Sequence, residues 1–207
     1  MPGPLYLITD RSLCREQGLV DAVERSLQGG VSLVQLREKD LADEDLLELA
    51  TDLRRITART DVPLLINGRV DIALAARADG VHLSPATPGL DRARERLGPQ
   101  AMIGFSAHSI EEIRLAERID ADFITFSPIY PTPSKSAFGP PLGVEALKEA
   151  CELTELPVYA LGGITAGRLA EIRPAGAAGF ACIRALLAAD DPRRAAERLL
   201  AAWRLAG

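Results

Sequence analysis

Short apolar runs recur along the chain and alternate with segments that have the period of an amphipathic helix. Most runs are four to six residues long and nearly continuous in apolar character. This pattern is typical of parallel strands that are covered on both faces of a sheet. The predicted strands are residues 5–8, 31–36, 63–66, 80–83, 102–105, 123–126, 157–161 and 179–183.

Three of the intervening segments carry helix signals. In residues 43–56, leucines and an isoleucine recur on one stripe at helical spacing. Ser109 is followed three residues later by Glu112, which is the pattern of a capping box. The last segment opens with Asp191-Pro192, a capping residue followed by a proline that suits the first helical turn.

The alternation amounts to eight strand–helix units. Parallel strands joined by helices require right-handed crossovers, and eight such units can close on themselves without leaving a sheet edge. We therefore predict an α/β fold, a single (β/α)8 TIM barrel that occupies residues 1–207 as one domain. An open doubly wound sheet is the alternative.

Composition restricts the class of partner. The chain of 207 residues has a net charge of −5, which argues against a broad nucleic-acid surface. It has no apolar run long enough to span a membrane and no signal-peptide pattern at the N-terminus. Its three cysteines are odd in number and far apart, which favours reduced thiols. We expect a cytoplasmic protein that binds small molecules and contacts neither nucleic acid nor membrane.

Polar and glycine positions gather at the carboxyl ends of the predicted strands. Barrels of this type place their functional site at that end, because the strand-to-helix loops meet there. Core packing alone would not produce a switch from apolar to polar residues at the same end of every strand. The positions are Asp10, Gln35, Arg37, Lys39, Asn67, His82, Ser106, His108, Ser127, Thr132, Ser134, Lys135, Gly162, Gly163 and Arg184.

The second strand ends in an alternation of polar and apolar residues. Gln35, Arg37 and Lys39 project the same way if the chain stays extended beyond the strand. Arginine offers a planar fork to phosphate oxygens and lysine adds a point charge, so the pair predicts an anion between them. The alternative is a solvated charge run in which Glu38 and Asp40 are the partners.

The loop after the sixth strand reads Pro131-Thr132-Pro133-Ser134-Lys135. Proline fixes φ and lowers the entropy that an ordering loop loses. Hydroxyls give short directional hydrogen bonds, and the lysine gives a mobile positive charge. The combination predicts a loop that binds a phosphorylated ligand, although a solvated surface loop has the same composition.

The loop after the seventh strand contains Gly162-Gly163. Glycines allow backbone amides to approach a phosphate, and the loops after strands seven and eight often hold phosphate in such barrels. Arg184 follows the eighth strand and would add positive charge beside this loop, unless it pairs with a neighbouring carboxylate.

Seven segments in order along nearly the whole chain resemble one family, the thiamine phosphate synthases with their relatives the thiazole tautomerases (TenI-like proteins). The segments are LYLITD at 5–10, VQLREK at 34–39, INGRVDIA at 66–73, DGVHL at 79–83, GFSAHS at 104–109, PTPSK at 131–135 and ALGGIT at 160–165. The resemblance implies a TIM barrel that binds thiazole phosphate, and that is often a homo-oligomer.

In the synthase reaction, the resemblance implies that a pyrimidine methyl diphosphate loses pyrophosphate and is captured by the nitrogen of a thiazole phosphate. By position, the residues of the diphosphate side would be Gln35, Arg37, Lys39, Asn67, Ser106 and Lys135. Those of the thiazole-phosphate side would be Thr132, Ser134, Gly163 and Ile183. Gly162 and Arg184 are added from the loop reasoning above.

Two departures from the synthase pattern affect magnesium. The family carries an aspartate after the strand-three asparagine, where this chain has Gly68, and an acidic residue in the loop after strand four, where residues 84–88 read SPATP. Mg²⁺ is usually held by one or two carboxylates and substrate phosphates. We therefore expect the tautomerase-like branch and assign no metal ligands. The alternatives are an active synthase, which would use Mg²⁺, and a non-catalytic binder of thiazole phosphate or thiamine phosphate.

The tautomerase expectation requires a proton-transfer group near its working pKa. The tautomerases carry a histidine where this chain has Pro128, which leaves His82, His108 and Tyr130 as candidates for proton transfer. His108 comes first because it follows a strand end, and Ser106 and Lys135 are further catalytic candidates. His82 is a candidate core residue. Arg184 replaces a small hydroxyl residue of the family, where it could bind a carboxylate or crowd the phosphate.

Overall fold

The computed structural model describes residues 2–14, 18–132 and 140–207. Within these ranges, parallel strands form a closed barrel in chain order, and β1 pairs with both β2 and β8. The closure confirms the predicted (β/α)8 barrel and rules out the open sheet. The strands are β1 Leu5–Ile8, β2 Leu33–Leu36, β3 Leu64–Asn67, β4 Gly80–Leu83, β5 Met102–Ala107, β6 Phe123–Phe126, β7 Val158–Leu161 and β8 Gly179–Cys182.

All strand ends agree with the sequence pattern to within two residues, and β5 is two residues longer than predicted. It continues through Ser106 and Ala107, which pair with Thr125 and Phe126 of β6. Pairing in the ladder therefore holds Ser106 on a rigid strand rather than on a loop. This matters for the site, because a strand fixes a side chain more tightly than a loop does.

Helices surround the barrel and connect successive strands. They are α1 Gly18–Gln28, α2 Asp43–Arg59, α3 Val70–Ala75, α4 Ala93–Leu97, α5 Ile110–Arg118, α6 Gly143–Leu153, α7 Leu169–Ile172, α8 Arg184–Leu187 and α9 Pro192–Leu205. The chain reaches α9 through the single turn of α8, so strand β8 is followed by two helices. No described helix combines the length and the apolar character that a membrane crossing requires.

Two helix starts follow the predicted capping chemistry. The Asp191 side chain accepts the backbone N–H of Arg194 at 3.2 Å, and Pro192 lies in the first turn of α9. The hydroxyl of Ser109 accepts the backbone N–H of Glu112 at 3.3 Å. These bonds satisfy backbone donors that have no partner within the helix.

The barrel encloses its own small core, separate from the larger core between strands and helices. Tyr6, Phe123 and Tyr159 meet edge to face there, with ring centroids 5.4 to 6.0 Å apart. The hydroxyl of Tyr159 donates to the carbonyls of Pro2 and Gly3, which precede β1. The aromatic cluster therefore fills the barrel towards the amino ends of the strands and leaves space at the carboxyl ends.

Candidate functional site

A cavity of about 420 Å³ lies at the carboxyl ends of the barrel strands. We call it the carboxyl-end cavity. Its lining comes from strand ends and the loops that follow, which is where parallel strands of a closed barrel converge. Ten of the predicted site residues line it: Gln35, Arg37, Asn67, Ser106, His108, Thr132, Gly162, Gly163, Ile183 and Arg184. Three further polar positions at strand ends also line it: Asp10, His82 and Ser127. Lys39 lines an adjoining groove. The predicted residues Ser134 and Lys135 lie outside the described residues.

Arg37 enters the cavity without a carboxylate partner in the described part of the chain. Its backbone N–H donates to the hydroxyl of buried Thr9 at 2.8 Å, which fixes the chain where β2 ends. The charge of Arg37, followed by desolvation, lowers the pKa of Lys39, so the two cations repel each other across the cavity and the groove. Such repulsion is relieved when an anion lies between the cations.

The acidic neighbours of Arg37 are engaged by another arginine. The Arg11 guanidinium binds both carboxylate oxygens of Asp40, at 2.6 and 2.7 Å, and donates to Glu38 at 3.1 Å. The Arg11 bond is the main cause that lowers the pKa of the Asp40 carboxyl. Glu38 and Asp40 therefore do pair with a cation, as the alternative from the sequence stated, but that cation is Arg11 and not Arg37. Arg37 remains available to an anionic ligand.

A chain of buried hydrogen bonds crosses the barrel beneath the cavity. The Nε2 of Gln35 donates to the Tyr6 hydroxyl at 2.6 Å, and that hydroxyl lies 3.1 Å from Nδ1 of His82. The Nε2 of His82 lies 3.0 Å from the Ser106 hydroxyl and 3.3 Å from that of Thr125. Burial and the charge of Arg37 lower the pKa of His82 to about 3, so the ring is neutral near pH 7.

His108 follows β5 and faces the cavity beside a carboxylate. Its backbone N–H donates to Oε2 of Glu112 at 2.6 Å, and the same oxygen lies 3.3 Å from its Nδ1. Glu112 thus closes the turn before α5 and lies within ion-pair distance of the imidazole. A histidine paired with a carboxylate is a common arrangement for proton transfer, because the carboxylate fixes ring orientation and stabilises the charged form.

The glycine pair after β7 is required by backbone geometry. Gly162 and Gly163 have φ of 99° and 65°, a region that favours glycine. A Cβ at Gly162 would lie 2.8 Å from Cα of Pro128, and one at Gly163 would lie 2.8 Å from the carbonyl oxygen of Pro131. The pair therefore lets the loop after β7 pack closely against the loop after β6, and both loops line the cavity.

Arg168 joins the same two loops and was not predicted from the sequence. Its Nη1 donates to the carbonyl of Gly163 at 2.5 Å, and its guanidinium lies 4.3 Å from the ring centroid of Tyr130. Tyr130 in turn donates to Glu171 at 2.9 Å; burial, then this bond, raises the Tyr130 pKa to about 12. Arg168 lines the cavity and adds a second positive charge near the glycine pair.

Ile183 and Arg184 lie at the start of the single-turn helix α8. The carbonyl of Ile183 accepts the backbone N–H groups of Leu186 and Leu187 at 3.2 and 3.0 Å. Arg184 is exposed, lines the cavity, and has no carboxylate partner within ion-pair distance in the described residues. The loops after β7 and β8, with a short helix following β8, have the arrangement that frequently binds phosphate in TIM barrels.

Gly68 and the loop of residues 84–88, where the resemblance implies magnesium ligands, face each other and contain no carboxylate. Gly68 has φ of 66°, and a Cβ placed on it would lie 4.0 Å from the Thr87 hydroxyl. That hydroxyl accepts the Ser84 backbone N–H at 2.9 Å. Among the described residues, no group of three or more histidine, cysteine or acidic side chains could hold a metal ion. The donor set fits Mg²⁺ poorly, because Mg²⁺ prefers carboxylate oxygens.

Several cavity residues carried weak sequence signals. Thr125, and Tyr6 beneath the cavity, each stand as a single polar residue inside an apolar run. Arg168 stands five residues after Gly163, and a cation just beyond a glycine loop was the available signal. His82 was predicted as a core residue, and it is both buried and part of the cavity lining.

Known proteins of one family are similar to this chain over nearly its whole length. The family model described as thiamine monophosphate synthase matches residues 5–186. A putative thiamine-phosphate synthase of Geobacter sulfurreducens is 51% identical, covering 95% of this chain and 92% of the relative. A thiamine-phosphate synthase of Albidiferax ferrireducens is 42% identical, covering 94% and 89%. The solved structure of a thiamine phosphate pyrophosphorylase from Pyrococcus furiosus is 34% identical with a TM-score of 0.88, covering 98% and 96%. The chain therefore belongs to the thiamine monophosphate synthase family.

Proposed function

We propose that this chain joins a pyrimidine methyl diphosphate to a thiazole phosphate, releasing pyrophosphate and forming thiamine phosphate. The observation that carries the proposal is that members of both predicted residue sets line one cavity. Arg37, Asn67 and Ser106 come from the diphosphate set, while Gly163 and Ile183 come from the thiazole-phosphate set. A cavity that binds both substrates holds the reacting atoms together. This lowers the activation free energy, because the entropy of bringing two molecules together is lost on binding and not in the reaction step.

The chemistry requires charge stabilisation more than proton transfer. The bond between the pyrimidine methylene carbon and the diphosphate oxygen breaks, and its electron pair leaves with pyrophosphate. The thiazole nitrogen then supplies the electron pair of the new C–N bond. We assign to the Arg37 guanidinium, the Asn67 amide and the Ser106 hydroxyl the stabilisation of the departing diphosphate, since fixed donors stabilise charge as it develops.

The missing carboxylates at position 68 and in residues 84–88 favoured the tautomerase. The relatives support the synthase instead. Proteins named as synthases match this chain over most of its length, at 51% and 42% identity. Pro128 also remains in the cavity wall at the position where the tautomerases carry a histidine. We therefore place the tautomerase second.

The tautomerase remains a second candidate because of one specific observation. Gly68 and Thr87 stand where a diphosphate-bound metal would find carboxylates, and His108 faces the cavity beside Glu112. A site with a histidine–carboxylate pair and few metal donors suits proton transfer on a thiazole carboxylate phosphate. Because the donor set fits Mg²⁺ poorly, we assign no step of either reaction to a metal.

The test is an activity assay on the purified protein. Pyrimidine methyl diphosphate and thiazole phosphate are supplied together, with and without Mg²⁺, and thiamine phosphate is measured. Formation of thiamine phosphate that is lost in an Arg37→Ala variant, and kept in Arg54→Ala, supports the proposal. Arg54 is the matched control, because it pairs with Asp79 away from the cavity.

Two other results would replace the proposal. Accelerated aromatisation of a thiazole carboxylate phosphate, without thiamine phosphate formation, would establish the tautomerase. Tight binding of thiamine phosphate without turnover in either assay would establish a non-catalytic binder. We further propose that residues 1–207 work as one domain in the cytoplasm, with small molecules as ligands; a homo-oligomer stays a prediction.

A further inference from the structure

The buried hydrogen bonds that link Gln35, Tyr6, His82 and Ser106 all run in one direction. The number of protons on each group determines that direction. The Tyr6 hydroxyl carries a single proton and already accepts from Nε2 of Gln35 at 2.6 Å. Its own proton is therefore directed to Nδ1 of His82, 3.1 Å away. A neutral imidazole whose Nδ1 accepts must carry its proton on Nε2.

That tautomer determines what Ser106 presents to the cavity. The Nε2–H of His82 lies 3.0 Å from the Ser106 oxygen and 3.3 Å from that of Thr125, so it donates chiefly to the nearer Ser106 and occupies one of its lone pairs. In the described residues, the Ser106 side chain has no other hydrogen-bond partner, and Ser106 lines the cavity. Its hydroxyl proton is then directed at whatever occupies the cavity.

We infer that His82 is a positioning residue, whose Nε2–H holds Ser106 so that the Ser106 hydroxyl donates to an anionic group of the bound ligand. With the opposite direction, Ser106 would donate to His82 and turn lone pairs towards the anion, which would repel it. The inference rests on the proposed function, since it requires an anion on the diphosphate side of the cavity.

Burial keeps this direction fixed. His82 is 2% exposed and Tyr6 is fully buried, so water does not compete for the donors. Desolvation, and after it the charge of Arg37, lowers the pKa of His82 and preserves Nδ1 as an acceptor. A fully connected buried network of this kind specifies one arrangement, because any unpaired polar group would be costly.

The first test observes the tautomer directly. The chain contains two histidines, so long-range ¹⁵N–¹H correlation spectra of protein labelled at histidine contain two rings, and a His108→Gln variant assigns them. We expect the His82 ring in the neutral Nε2–H form. An Nδ1–H form or a charged ring would overturn the inference, whatever the activity of the protein.

The second test measures binding of inorganic pyrophosphate by calorimetry. Tyr6→Phe removes the hydroxyl that directs His82, so it should weaken pyrophosphate binding and broaden or shift the Nε2–H signal. The expected loss is about tenfold, the scale of one hydrogen bond to a charged group. Tyr159→Phe is the control: it deletes one hydroxyl from the same aromatic cluster, where that hydroxyl contacts Pro2 and Gly3 instead of His82.

A double-mutant cycle separates positioning from a general structural effect. If Tyr6 and His82 act through Ser106, then Tyr6→Phe should cause no further loss in a Ser106→Ala background. Equal losses in both backgrounds, or wild-type affinity in Tyr6→Phe, would overturn the inference. If the wild-type protein itself does not bind pyrophosphate, this contradicts the proposed binding of a diphosphate in the cavity. The inference about His82 is then overturned as well, because it requires that anion.

Discussion

Oε2 of Glu112 accepts the backbone N–H of His108 at 2.6 Å and lies 3.3 Å from Nδ1 of the same residue. One carboxylate therefore holds the backbone of a residue that lines the cavity and lies within ion-pair distance of its ring. The capping box expected at this helix is altered as a result. Ser109 caps the helix, but the glutamate reaches His108, one residue before the cap.

Replacing Glu112 by alanine should lower stability by about 1 kcal/mol, the usual cost of a lost capping interaction. The free energy of unfolding in urea measures this loss. Glu149→Ala is the control, because Glu149 is an exposed acidic residue of helix α6 with no hydrogen bond or ion pair to the described residues. Equal stability of the two variants would show that the bond to His108 contributes nothing.

Arg168→Ala should weaken thiazole phosphate binding. The variant loses the bond to Gly163 and the contact with the Tyr130 ring, so the loops after β6 and β7 lose their side-chain connection and keep only the backbone bonds between them. We expect KM for thiazole phosphate to rise by about tenfold, the scale of a charged hydrogen bond, while KM for the pyrimidine diphosphate changes little.

Arg173→Ala provides the matched control for Arg168. Arg173 also stacks on an aromatic ring, that of Trp203, and also donates to a backbone carbonyl. It does not line the carboxyl-end cavity. A rise of both KM values in Arg168→Ala, or the same change in Arg173→Ala, would contradict a local effect on the thiazole-phosphate side.

The free energy of unfolding should decrease in mild acid because of His82. Its pKa is lowered to about 3 in the folded protein, below the ordinary value of 6.5. As pH falls, the unfolded chain therefore binds a proton before the folded protein does, and the stability due to neutral His82 is lost from about pH 6.5 down to about pH 3. Between about pH 7 and about pH 5 the loss should be about 2 kcal/mol.

Urea unfolding at the two pH values tests this prediction. The difference should shrink in His82→Gln, which cannot take up a proton, and persist in His108→Gln. If His82→Gln loses as much stability in acid as the wild-type protein, the histidine is not the group responsible.

Restoring two carboxylates should create a magnesium site. In Gly68→Asp combined with Thr87→Asp, the new side chains would start from backbone positions that face each other. We expect Mg²⁺ to bind the double variant more tightly than the wild-type chain, as measured by calorimetry in the absence of diphosphate.

Strain at position 68 must be controlled for. Gly68 has a positive φ, so aspartate there should cost about 1 kcal/mol of stability. Gly98→Asp introduces the same residue at another positive φ, with no atom within 4 Å of the new Cβ. Tighter Mg²⁺ binding in Gly98→Asp as well would show that the effect is not specific to the site.

Lys135→Ala should weaken the binding of phosphorylated ligands several-fold, on the scale of a charge-assisted contact. This prediction comes from the sequence alone, since residue 135 lies outside the described residues. Lys148→Ala is the control, because Lys148 lies on helix α6 near Glu152. An unchanged titration curve for Lys135→Ala would remove this lysine from the site.

The sequence predicted the barrel and much of the polar lining of the cavity because one physical rule governs both. Apolar runs form the strands, and polar residues at their carboxyl ends meet on one rim when the ring closes. Arg37, Asn67 and Gly163 obey this rule, although they are far apart in the chain. Lys39 does not line the cavity, because β2 ends at Leu36 and the extended alternation does not continue to residue 39.

The buried hydrogen bonds inside the barrel, from Gln35 through Tyr6 and His82 to Ser106, could not be predicted in the same way. Strands buried on both faces appear almost uniformly apolar, so the pattern does not separate residues inside the barrel from those under the helices. Tyr6 and His82 therefore resembled ordinary core residues. Their hydrogen bonds depend on the register between neighbouring strands, which pairs Asn67 with His82 and Ser106 with Thr125.

A crystal structure with thiamine phosphate and pyrophosphate bound would test the central claim most directly. We predict the phosphate of thiamine phosphate beside Gly163 and Ile183, and pyrophosphate beside Arg37, Asn67 and Ser106, in one continuous cavity. Density for either anion outside the carboxyl-end cavity, with these side chains uninvolved, would contradict the account.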